Sequence, residues 1–359
     1  MSPARSVQVV VPDGVDDPLR PSGGNTYDRR LCQALAGAGW TVHTHAVAGD
    51  WPRPQQAERR ALAAALGGGP RGLPVLVDGL IASAAPQAVV PAARRVPIVV
   101  LLHMPLGAGG HSAASRPEAA RGERAVLAAA TAVVTTSGWT RRWLLSTYGL
   151  DAARVHVARP GVDAAPAVAA GPDGSRLLCV GAVVAAKGQD VLLEALATLV
   201  DLDWQCVCVG PRTREPAFVE RLRDRSRAAG VGDRLCLTGP LTGAGLAAAY
   251  ADADLLVHPS RAETYGMVVT EALARALPVV AADAGGVTEA LGVTSQGTPP
   301  GVLVPPGEAA PLAAALRRWL TDAESRAVLR AAARRRRGEL TGWAETAGRV
   351  ARVLEGAVA

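Results

Sequence analysis

The chain has 359 residues, of which 49% are hydrophobic and 19% charged, and its formal net charge at pH 7 is +6. This length predicts about two domains, since a domain averages ~150 residues, and the apolar fraction excludes a disordered chain. With one Phe, four Tyr and seven Trp, the sequence also argues against the base-stacking surfaces of single-strand-binding proteins. The positive charge favours anionic ligands such as nucleotide phosphates.

The cysteines and the first residues bear on the cellular compartment. Five cysteines at irregular spacing lie in apolar runs, which predicts reduced, buried thiols and no disulfide framework. The first residues lead into a strand-like run without an apolar signal segment, and no uncharged apolar stretch is long enough to span a bilayer. These features predict a cytoplasmic protein.

Two series of short apolar runs alternate with segments of helical period, the pattern of parallel strands buried on both faces. The first series predicts strands at residues 7–11, 41–47, 73–77, 98–102 and 132–136. The second predicts strands at residues 177–180, 206–209, 234–237, 255–257 and 279–281, with an edge strand beginning at Gly301. We therefore expect an α/β fold of two doubly wound, Rossmann-like domains, with about five parallel strands in each series.

A segment without amphipathic period, residues 164–175, separates the two series. It predicts a first domain at residues 1–165, a second at 166–338 and a C-terminal helix in 339–359. Residues 334–337 are four consecutive arginines, for which a solvated helix face is the expectation. The Arg-bearing residues 111–124 predict a solvated loop, with an anionic acceptor or a membrane surface as the minority alternative.

Four motifs at strand ends carry the candidate chemistry. Gly23 and Gly24 follow the first strand and precede a helix, where backbone N–H groups would bind a diphosphate. A turn that needs glycine only for its backbone angles explains this pair equally well. His103 directly follows the strand at residues 98–102, and ligands bind beyond the carboxyl ends of such strands, so it is a candidate for the acceptor site. A structural role is the more common alternative for a single histidine.

The other two motifs lie in the second series. Lys187 follows the strand at 177–180 and comes just before a helix, so its ammonium would lie beside phosphates, although a surface lysine is the plainer reading. Glu263 and Glu271 are eight residues apart across a strand-to-helix turn. A carboxylate accepts two hydroxyl hydrogen bonds, so the two could bind a hexose and a ribose of one long ligand. A salt-bridged helix glutamate remains the alternative for Glu271.

In this order the motifs resemble the GT-B retaining glycosyltransferases of family 4, over nearly the whole chain. The resemblance implies that the two domains face each other across a cleft, with the acceptor bound by the first and the nucleotide sugar by the second. It also implies that the C-terminal helix crosses back onto the first domain. The most specific element is the E-x7-E motif from Glu263 to Glu271, within SRAETYGMVVTEALARALPVVAADAGG. The resemblance implies that Glu263 binds the donor sugar and Glu271 the ribose, with Tyr265, Gly266 and Met267 in the same donor site. It also implies that Lys187 binds the diphosphate with Gly23 and Gly24, and that His103 lies beside the reacting sugar.

Two departures from the family pattern bear on catalysis. Ala182 stands where the family usually has an arginine, so one phosphate-neutralising charge is missing, and Arg141 or Arg261 could replace it. Ala276 stands where a glycine is common, which we expect to affect helix packing.

The resemblance implies a hexosyltransferase that moves a sugar, with retention of configuration, from a UDP- or GDP-sugar to a small-molecule, glycan or lipid acceptor. No cluster of acidic residues resembles the metal clamp of D-x-D enzymes, so we expect no divalent metal. We also expect no other cofactor and no nucleic-acid partner. A weak peripheral membrane contact stays open. The alternatives are a nucleotide-sugar-binding protein without turnover, and an epimerase or phosphorylase of the same fold.

Overall fold

A computed structural model describes residues 5–69, 72–108, 116–169 and 171–358 of the chain. They form two compact units. The first unit comprises the described residues of Met1–Asp16, Gly23–Gly161 and Gly342–Ala359, and the second comprises those of Asp17–Ser22 and Val162–Thr341.

The first unit holds a parallel six-stranded sheet among its described residues. Its strands are β1 (Ser6–Pro12), β2 (Thr41–Val47), β3 (Val75–Asp78), β4 (Ile98–Leu102), β5 (Ala132–Thr135) and β6 (Val155–Val157). Its helices include α1 (Gly23–Gly37), α2 (Gln56–Gly67), α3 (Gly79–Ala84), α4 (Pro86–Ala92), α5 (Arg116–Ala129) and α6 (Gly138–Tyr148). The strand order is β2-β1-β3-β4-β5-β6, so the direction of winding reverses between β1 and β3.

All five predicted strands of this unit are confirmed, and β6 is a strand that the sequence pattern missed. β6 has three residues, and His156 interrupts its two valines, so it offers no apolar run. The apolar core of the unit forms around β3 and β4, whose residues from Val75 to Asp78 and from Ile98 to Leu102 are all buried.

The second unit holds another parallel sheet, with six strands among the described residues. They are β7 (Arg176–Val180), β8 (Gln205–Val209), β9 (Leu235–Gly239), β10 (Leu255–His258), β11 (Val279–Ala282) and β12 (Gly301–Val304). Its helices are α7 (Gln189–Ala197), α8 (Pro216–Ala228), α9 (Gly243–Ala251), α10 (Met267–Leu273), α11 (Val287–Leu291), α12 (Ala309–Thr321) and α13 (Ala323–Arg337). The order β12-β11-β10-β7-β8-β9 reverses between β7 and β10 and places β12 at the edge, as predicted.

Both faces of this second sheet are covered. Leu177 and Cys179 of β7 belong to one apolar cluster, whereas Leu178 between them belongs to another. Alternating residues of one strand therefore enter two separate cores, which explains why the strands form continuous apolar runs. The predicted doubly wound α/β architecture is confirmed for each unit.

The last helix, α14 (Trp343–Val358), packs against α1 of the first unit. The Trp343 ring meets the Tyr27 ring edge-on at 5.4 Å, and the Thr346 hydroxyl donates to the Arg159 carbonyl. Gly161 lies so close to this helix that a Cβ there would be 2.4 Å from the Trp343 nitrogen.

Several local predictions need correction. The five cysteines are free, but Cys236 is exposed and Cys32 is only partly buried. Residues 116–124 begin helix α5 and are not a loop, while residues 111–115 lie outside the described residues. The four consecutive arginines are largely exposed, yet Arg336 and Arg337 also donate to the carbonyls of Leu291 and Ala274, at the ends of α11 and α10. In the described part of the chain, no helix has both the length and the apolar character needed to cross a bilayer.

Candidate functional site

The candidate side chains lie where the two sheets reverse their winding. In open parallel sheets, ligands bind beyond the carboxyl ends of strands at this reversal. In the second unit these are the ends of β7 and β10, which are followed by Lys187 and Glu263. In the first unit, Asp78 ends β3, His103 follows the adjacent β4, and α1 follows β1.

Lys187 and Glu263 are in direct contact. Lys187 ends a short 3₁₀ turn after β7, and its Nζ lies 2.5 Å from Glu263 Oε2. The side chains are 26% and 11% exposed, so the pair is largely shielded but remains open to a ligand. The structure thus joins two residues that the sequence predicted separately, 76 positions apart.

A buried histidine lies beside the same carboxylate. His258 at the end of β10 is buried, and its Nε2 lies 3.4 Å from Glu263 Oε2. Burial raises the pKa of Glu263, but the Lys187 ammonium and His258 outweigh it and hold that pKa far below its ordinary value. Glu263 is therefore ionised and offers only hydrogen-bond acceptors.

The loop that carries Lys187 is held in place by backbone geometry and by an ion pair. Gly188 has φ +70°, and a Cβ there would lie 2.1 Å from the Pro259 carbonyl, so only glycine lets the two strand-end loops approach this closely. Arg261 forms a bidentate pair with Asp190 at 2.7 and 2.8 Å and also donates to the Ala185 carbonyl.

Arg141 and Arg261 were the candidates to replace the charge missing at Ala182. Arg141 donates to the carbonyls of Val155 and Ala152 in the first unit, and Arg261 is bound to Asp190. Both guanidinium groups thus already have protein partners. The Ala182 carbonyl accepts a hydrogen bond from the Gln189 side chain, which fixes the loop without supplying charge.

Glu271 lies in the second turn of α10, since that helix begins only at Met267. Its Oε2 accepts a hydrogen bond of 2.8 Å from the Tyr250 hydroxyl, and Arg275 lies 4.4 Å above the Tyr250 ring. Burial raises the pKa of Glu271, while the Tyr250 hydrogen bond and the Arg275 charge oppose the rise. Glu271 is thus held mainly by a neutral hydroxyl and not by the salt bridge of the alternative reading.

The remaining predicted donor residues surround the start of α10. Gly266 has φ +92° and precedes the helix, Met267 opens it, and Tyr265 is 7% exposed and packs in the apolar core. Their donor-binding roles stay predictions.

His103 lies between two buried carboxylates of the first unit. Its Nε2 is 2.7 Å from Asp28 Oδ1 and 3.5 Å from Asp78 Oδ2. Burial and then the Asp28 charge raise the pKa of Asp78 to about 7, despite the opposing effect of His103. Burial lowers the pKa of His103, but the two carboxylates reverse this effect and hold it above its ordinary value.

One ligand atom from each of these three residues lies within 4.8 Å of the others, a spacing that one metal ion could also bridge. The 2.7 Å contact between Nε2 and Asp28 Oδ1 is a hydrogen-bond distance, so a shared proton accounts for the cluster.

The glycine pair belongs to the first turn of α1, because the helix begins at Gly23 and not after Asn25. Neither glycine is among the residues with positive φ, so the explanation from backbone angles is wrong. A Cβ on Gly24 would lie 3.1 Å from His103 Cδ2. Gly24 thus allows α1 to pack against the His103 ring, and its predicted contact with a diphosphate stays a prediction.

The sequence reading missed the partner residues Asp28, Asp78, Tyr250 and His258. It also missed Glu123, a buried side chain that accepts from the amides of Leu106 and Gly107 and from the Tyr148 hydroxyl. One signal was available for Asp28, which shares a helix face with Leu31 and Leu35 and therefore needs a polar partner.

Another available signal is lysine usage. Lys187 is the one lysine in the sequence, beside 37 arginines. An ammonium is a compact point charge on a flexible stem, whereas a guanidinium is a rigid planar fork, so the two are not interchangeable in a crowded site.

Two family profiles match the chain. The family profile described as Glycosyl transferases group 1 matches residues 166–336, and the profile described as Glycosyltransferase Family 4 matches residues 21–165.

Two curated relatives illustrate the similarity. D-inositol 3-phosphate glycosyltransferase 1 of Catenulispora acidiphila is 33% identical over 297 residues, which cover 76% of this chain and 69% of the relative. D-inositol 3-phosphate glycosyltransferase of Kineococcus radiotolerans is 37% identical over 252 residues, which cover 63% of this chain and 57% of the relative. The chain thus spans between about half and about two thirds of these relatives' lengths.

Solved structures share the fold. Sucrose-phosphate synthase from Thermosynechococcus elongatus has a TM-score of 0.79 at 21% identity and covers 97% of this chain and 98% of its own. Anabaena HepE in complex with UDP and glucose has a TM-score of 0.77 at 18% identity and covers 98% of this chain and 100% of its own. The profiles, the relatives and the two doubly wound units together show that the chain belongs to the GT-B glycosyltransferases, with a family 4 type N-terminal domain.

Proposed function

We propose that the chain transfers a hexose from a nucleoside-diphosphate sugar to a hydroxyl-bearing acceptor, with retention of configuration and without a resident metal. The observation that carries the proposal is the Lys187–Glu263 pair at the winding reversal of the second unit, with Glu271 on the adjacent helix. A cation and two carboxylates at this place match the parts of such a donor: diphosphate, hexose and ribose.

Lys187 supplies the electrostatic stabilisation. In the transfer, the bond between the anomeric carbon and the diphosphate oxygen breaks, and negative charge grows on the leaving phosphate. An ammonium has three N–H groups, so Lys187 retains donors for that phosphate while one N–H is held by Glu263. A preorganised donor of this kind stabilises a transition state by about 2–4 kcal/mol.

The two carboxylates bind the neutral parts of the donor. Glu263 is ionised, so it accepts hydrogen bonds from hexose hydroxyls. Glu271 Oε2 is held by Tyr250, which leaves Oε1 to accept from a ribose hydroxyl. The acceptor oxygen forms the new bond to the anomeric carbon, and its proton passes to the leaving diphosphate, so no protein base is required.

Known proteins support the choice of first substrates. Anabaena HepE has been crystallised with UDP-glucose, which makes UDP-glucose a reasonable first donor. The curated relatives are named for D-inositol 3-phosphate, which makes that compound the first acceptor to try.

The test incubates the purified protein with UDP-glucose, GDP-mannose or UDP-N-acetylglucosamine, with and without D-inositol 3-phosphate and with EDTA throughout. We expect release of nucleoside diphosphate with at least one donor, and an α-linked product by NMR once an acceptor is found. A β-linked product, or activity only after a divalent metal is restored, would contradict the proposal.

A nucleotide-sugar-binding protein without turnover is the second candidate, and Ala182 is the observation that favours it. With an alanine there and Arg261 bound to Asp190, one phosphate-neutralising charge is lacking. Tight donor binding in calorimetry, combined with no donor hydrolysis over a day, would select this candidate.

A further inference from the structure

The His103 ring is fixed on several sides by the first two turns of α1. Gly24 approaches its Cδ2, the Tyr27 ring meets it edge-on at 5.1 Å, and Asp28 Oδ1 lies 2.7 Å from its Nε2. The Tyr27 hydroxyl is itself held by the Ala158 carbonyl at 2.9 Å, so the surrounding groups cannot shift freely. One helix therefore sets the orientation of the histidine.

The polar contacts that the described residues make with the ring all use the same nitrogen. Both the hydrogen bond to Asp28 and the approach to Asp78 involve Nε2, so Nδ1 is left for a ligand. The side chain is 16% exposed, whereas the two aspartates are 2% and 5% exposed. A ligand can therefore reach the imidazole but not the carboxylates behind it.

Asp78 cannot turn away from this arrangement, because it caps α3. Its Oδ1 accepts from the amides of Leu80 and Ile81 at 2.7 and 3.3 Å, which directs Oδ2 toward His103. Asp28 makes no comparable backbone contacts, and its Oδ2 is buried without a partner among the described residues. Among the described residues, the hydrogen bond that the Asp28 carboxylate makes is therefore the one to His103.

We propose that Asp28 is a positioning residue that holds His103 doubly protonated, with Nε2–H on α1 and Nδ1–H presented as a donor to the substrate. This inference rests on the proposed transferase function, within which His103 acts as a hydrogen-bond donor and not as a base. Asp78 adds negative charge behind the ring, and the two carboxylates raise the pKa of His103 despite its burial, which is the direction that favours a charged ring. Among the described residues, the titratable groups around the ring are Asp28 and Tyr27 of α1 and Asp78 of β3.

The first test measures the protonation state of the His103 imidazole directly and does not depend on enzymatic activity. Nitrogen-15 NMR separates a charged imidazole from either neutral tautomer, and His103→Gln assigns the signal among the six histidines. In the unaltered chain at pH 7 we expect both His103 nitrogens protonated. In Asp28→Asn we expect the signal of a neutral ring and an apparent pKa lower by at least one unit.

The matched control is Asp254→Asn, which removes a buried, paired carboxylate of the second unit. It should lower the melting temperature without moving the His103 signal. A neutral His103 ring at pH 7 in the unaltered chain, or an unchanged signal in Asp28→Asn, would overturn the proposal. So would a stoichiometric metal in the purified protein that is lost in Asp28→Asn, because the cluster would then hold an ion and not a proton.

The second test is a double-mutant cycle in the transfer or hydrolysis assay. Asp28→Asn should lower kcat by ~5- to 50-fold, with a smaller change in the donor KM, because the amide keeps a hydrogen-bonding oxygen beside Nε2 but loses the negative charge. In a His103→Gln background the same substitution should have little further effect. Equal losses in both backgrounds would mean that Asp28 acts on the fold alone. If no activity is found at all, the proposed function fails while the NMR result still decides the role of Asp28.

Discussion

The two units place similar residues at the same point of the same kind of sheet, yet their electrostatics are opposite. In the second unit, Glu263 faces the Lys187 ammonium and His258, and its pKa falls. In the first, Asp78 faces another carboxylate and one histidine, and its pKa rises to about 7. A strand end at a winding reversal therefore provides a position for a polar group, whereas neighbouring charges decide what that group can do.

Replacing Lys187 should have the largest effect on activity, because it removes the positive charge that distinguishes the second unit from the first. Lys187→Ala removes the cation of the second unit, and we expect kcat to fall by ~30- to 1,000-fold, equivalent to about 2–4 kcal/mol, with a smaller rise in the donor KM. Steady-state kinetics measures both constants. Lys187→Arg keeps the charge but not the compact ammonium, and should recover only part of the rate. A KM that rises as much as kcat falls would assign Lys187 to ground-state binding.

Glu271 differs from Glu263 in that its hydrogen-bond partner is the Tyr250 hydroxyl and not a lysine. Replacing it tests the proposed contact with the ribose. Glu271→Gln should weaken nucleoside-diphosphate binding by ~10- to 100-fold, because a charged hydrogen bond is worth about 1.5–3 kcal/mol. It should also remove the preference for ribose over 2′-deoxyribose ligands, as measured by calorimetry.

Tyr250→Phe should weaken nucleoside-diphosphate binding less than Glu271→Gln does. It deletes the hydroxyl that holds Glu271 Oε2 and should weaken binding by ~5-fold, since one hydrogen bond contributes about 1 kcal/mol. An unaltered ribose preference in Glu271→Gln would contradict the assignment of Glu271, whatever the effect of Tyr250→Phe.

The comparison also predicts opposite responses to pH. Asp78 has a folded pKa above its ordinary value of 3.8, so the folded first unit retains a proton that the unfolded chain loses, and its stability falls as pH rises from about 4 to 7. His103, whose pKa is also raised, adds stability that is lost as pH rises further. Glu263 has a lowered pKa, so its stabilisation of the second unit is lost as pH falls below about 4.5.

Hydrogen exchange, corrected for the intrinsic pH dependence, measures the two units separately. Amides of β3 and β4 should lose protection between pH 5 and 8, and those of β7 and β10 should lose it between pH 5 and 3.5. Asp78→Asn keeps the cap of α3 and should flatten the response of the first unit. A parallel response in both units would show that these clusters do not control stability.

The smallest effect concerns the backbone after Glu271. Ala276 has φ +58°, and the amides of Ala276 and Leu277 bond the carbonyls of Leu273 and Ala272, the pattern of a helix end closed by a left-handed residue. The glycine common at this place is thus a matter of backbone angle and not of helix packing. Ala276→Gly should raise the free energy of unfolding by about 1 kcal/mol, as measured by urea denaturation. A lower free energy of unfolding in Ala276→Gly would contradict the interpretation that the left-handed backbone of Ala276 is strained.

The strand-end residues could be predicted from the sequence because their positions depend on local patterns. His103, Lys187 and Glu263 each follow an apolar run, and the rule that ligands bind at strand ends singles them out. Their partners could not be predicted in this way. Asp28 is 75 residues from His103 and Tyr250 is 21 residues from Glu271, so these contacts exist only once the chain has folded.

Other features were open to more than one local reading. Gly23 and Gly24 fitted a turn as well as a helix start, because glycine permits both, and only the position of the His103 ring shows why Gly24 has no side chain. Ala276 departed visibly from the family pattern, but its left-handed angle depends on where α10 ends. Local sequence thus predicts where polar groups lie, and the tertiary contacts determine their charge.

The proposed contact between Lys187 and the diphosphate of the donor is directly measurable, because Lys187 is the single lysine of the chain. Reductive methylation with ¹³C-formaldehyde labels Lys187 and the chain's N-terminal amine, keeping the positive charge of both. The Lys187 signal should move as UDP or GDP saturates the protein, and should stay in place when uridine or guanosine is added at saturating concentration. A Lys187 signal that is unmoved by a saturating nucleoside diphosphate, or that moves equally with the nucleoside alone, would contradict the account.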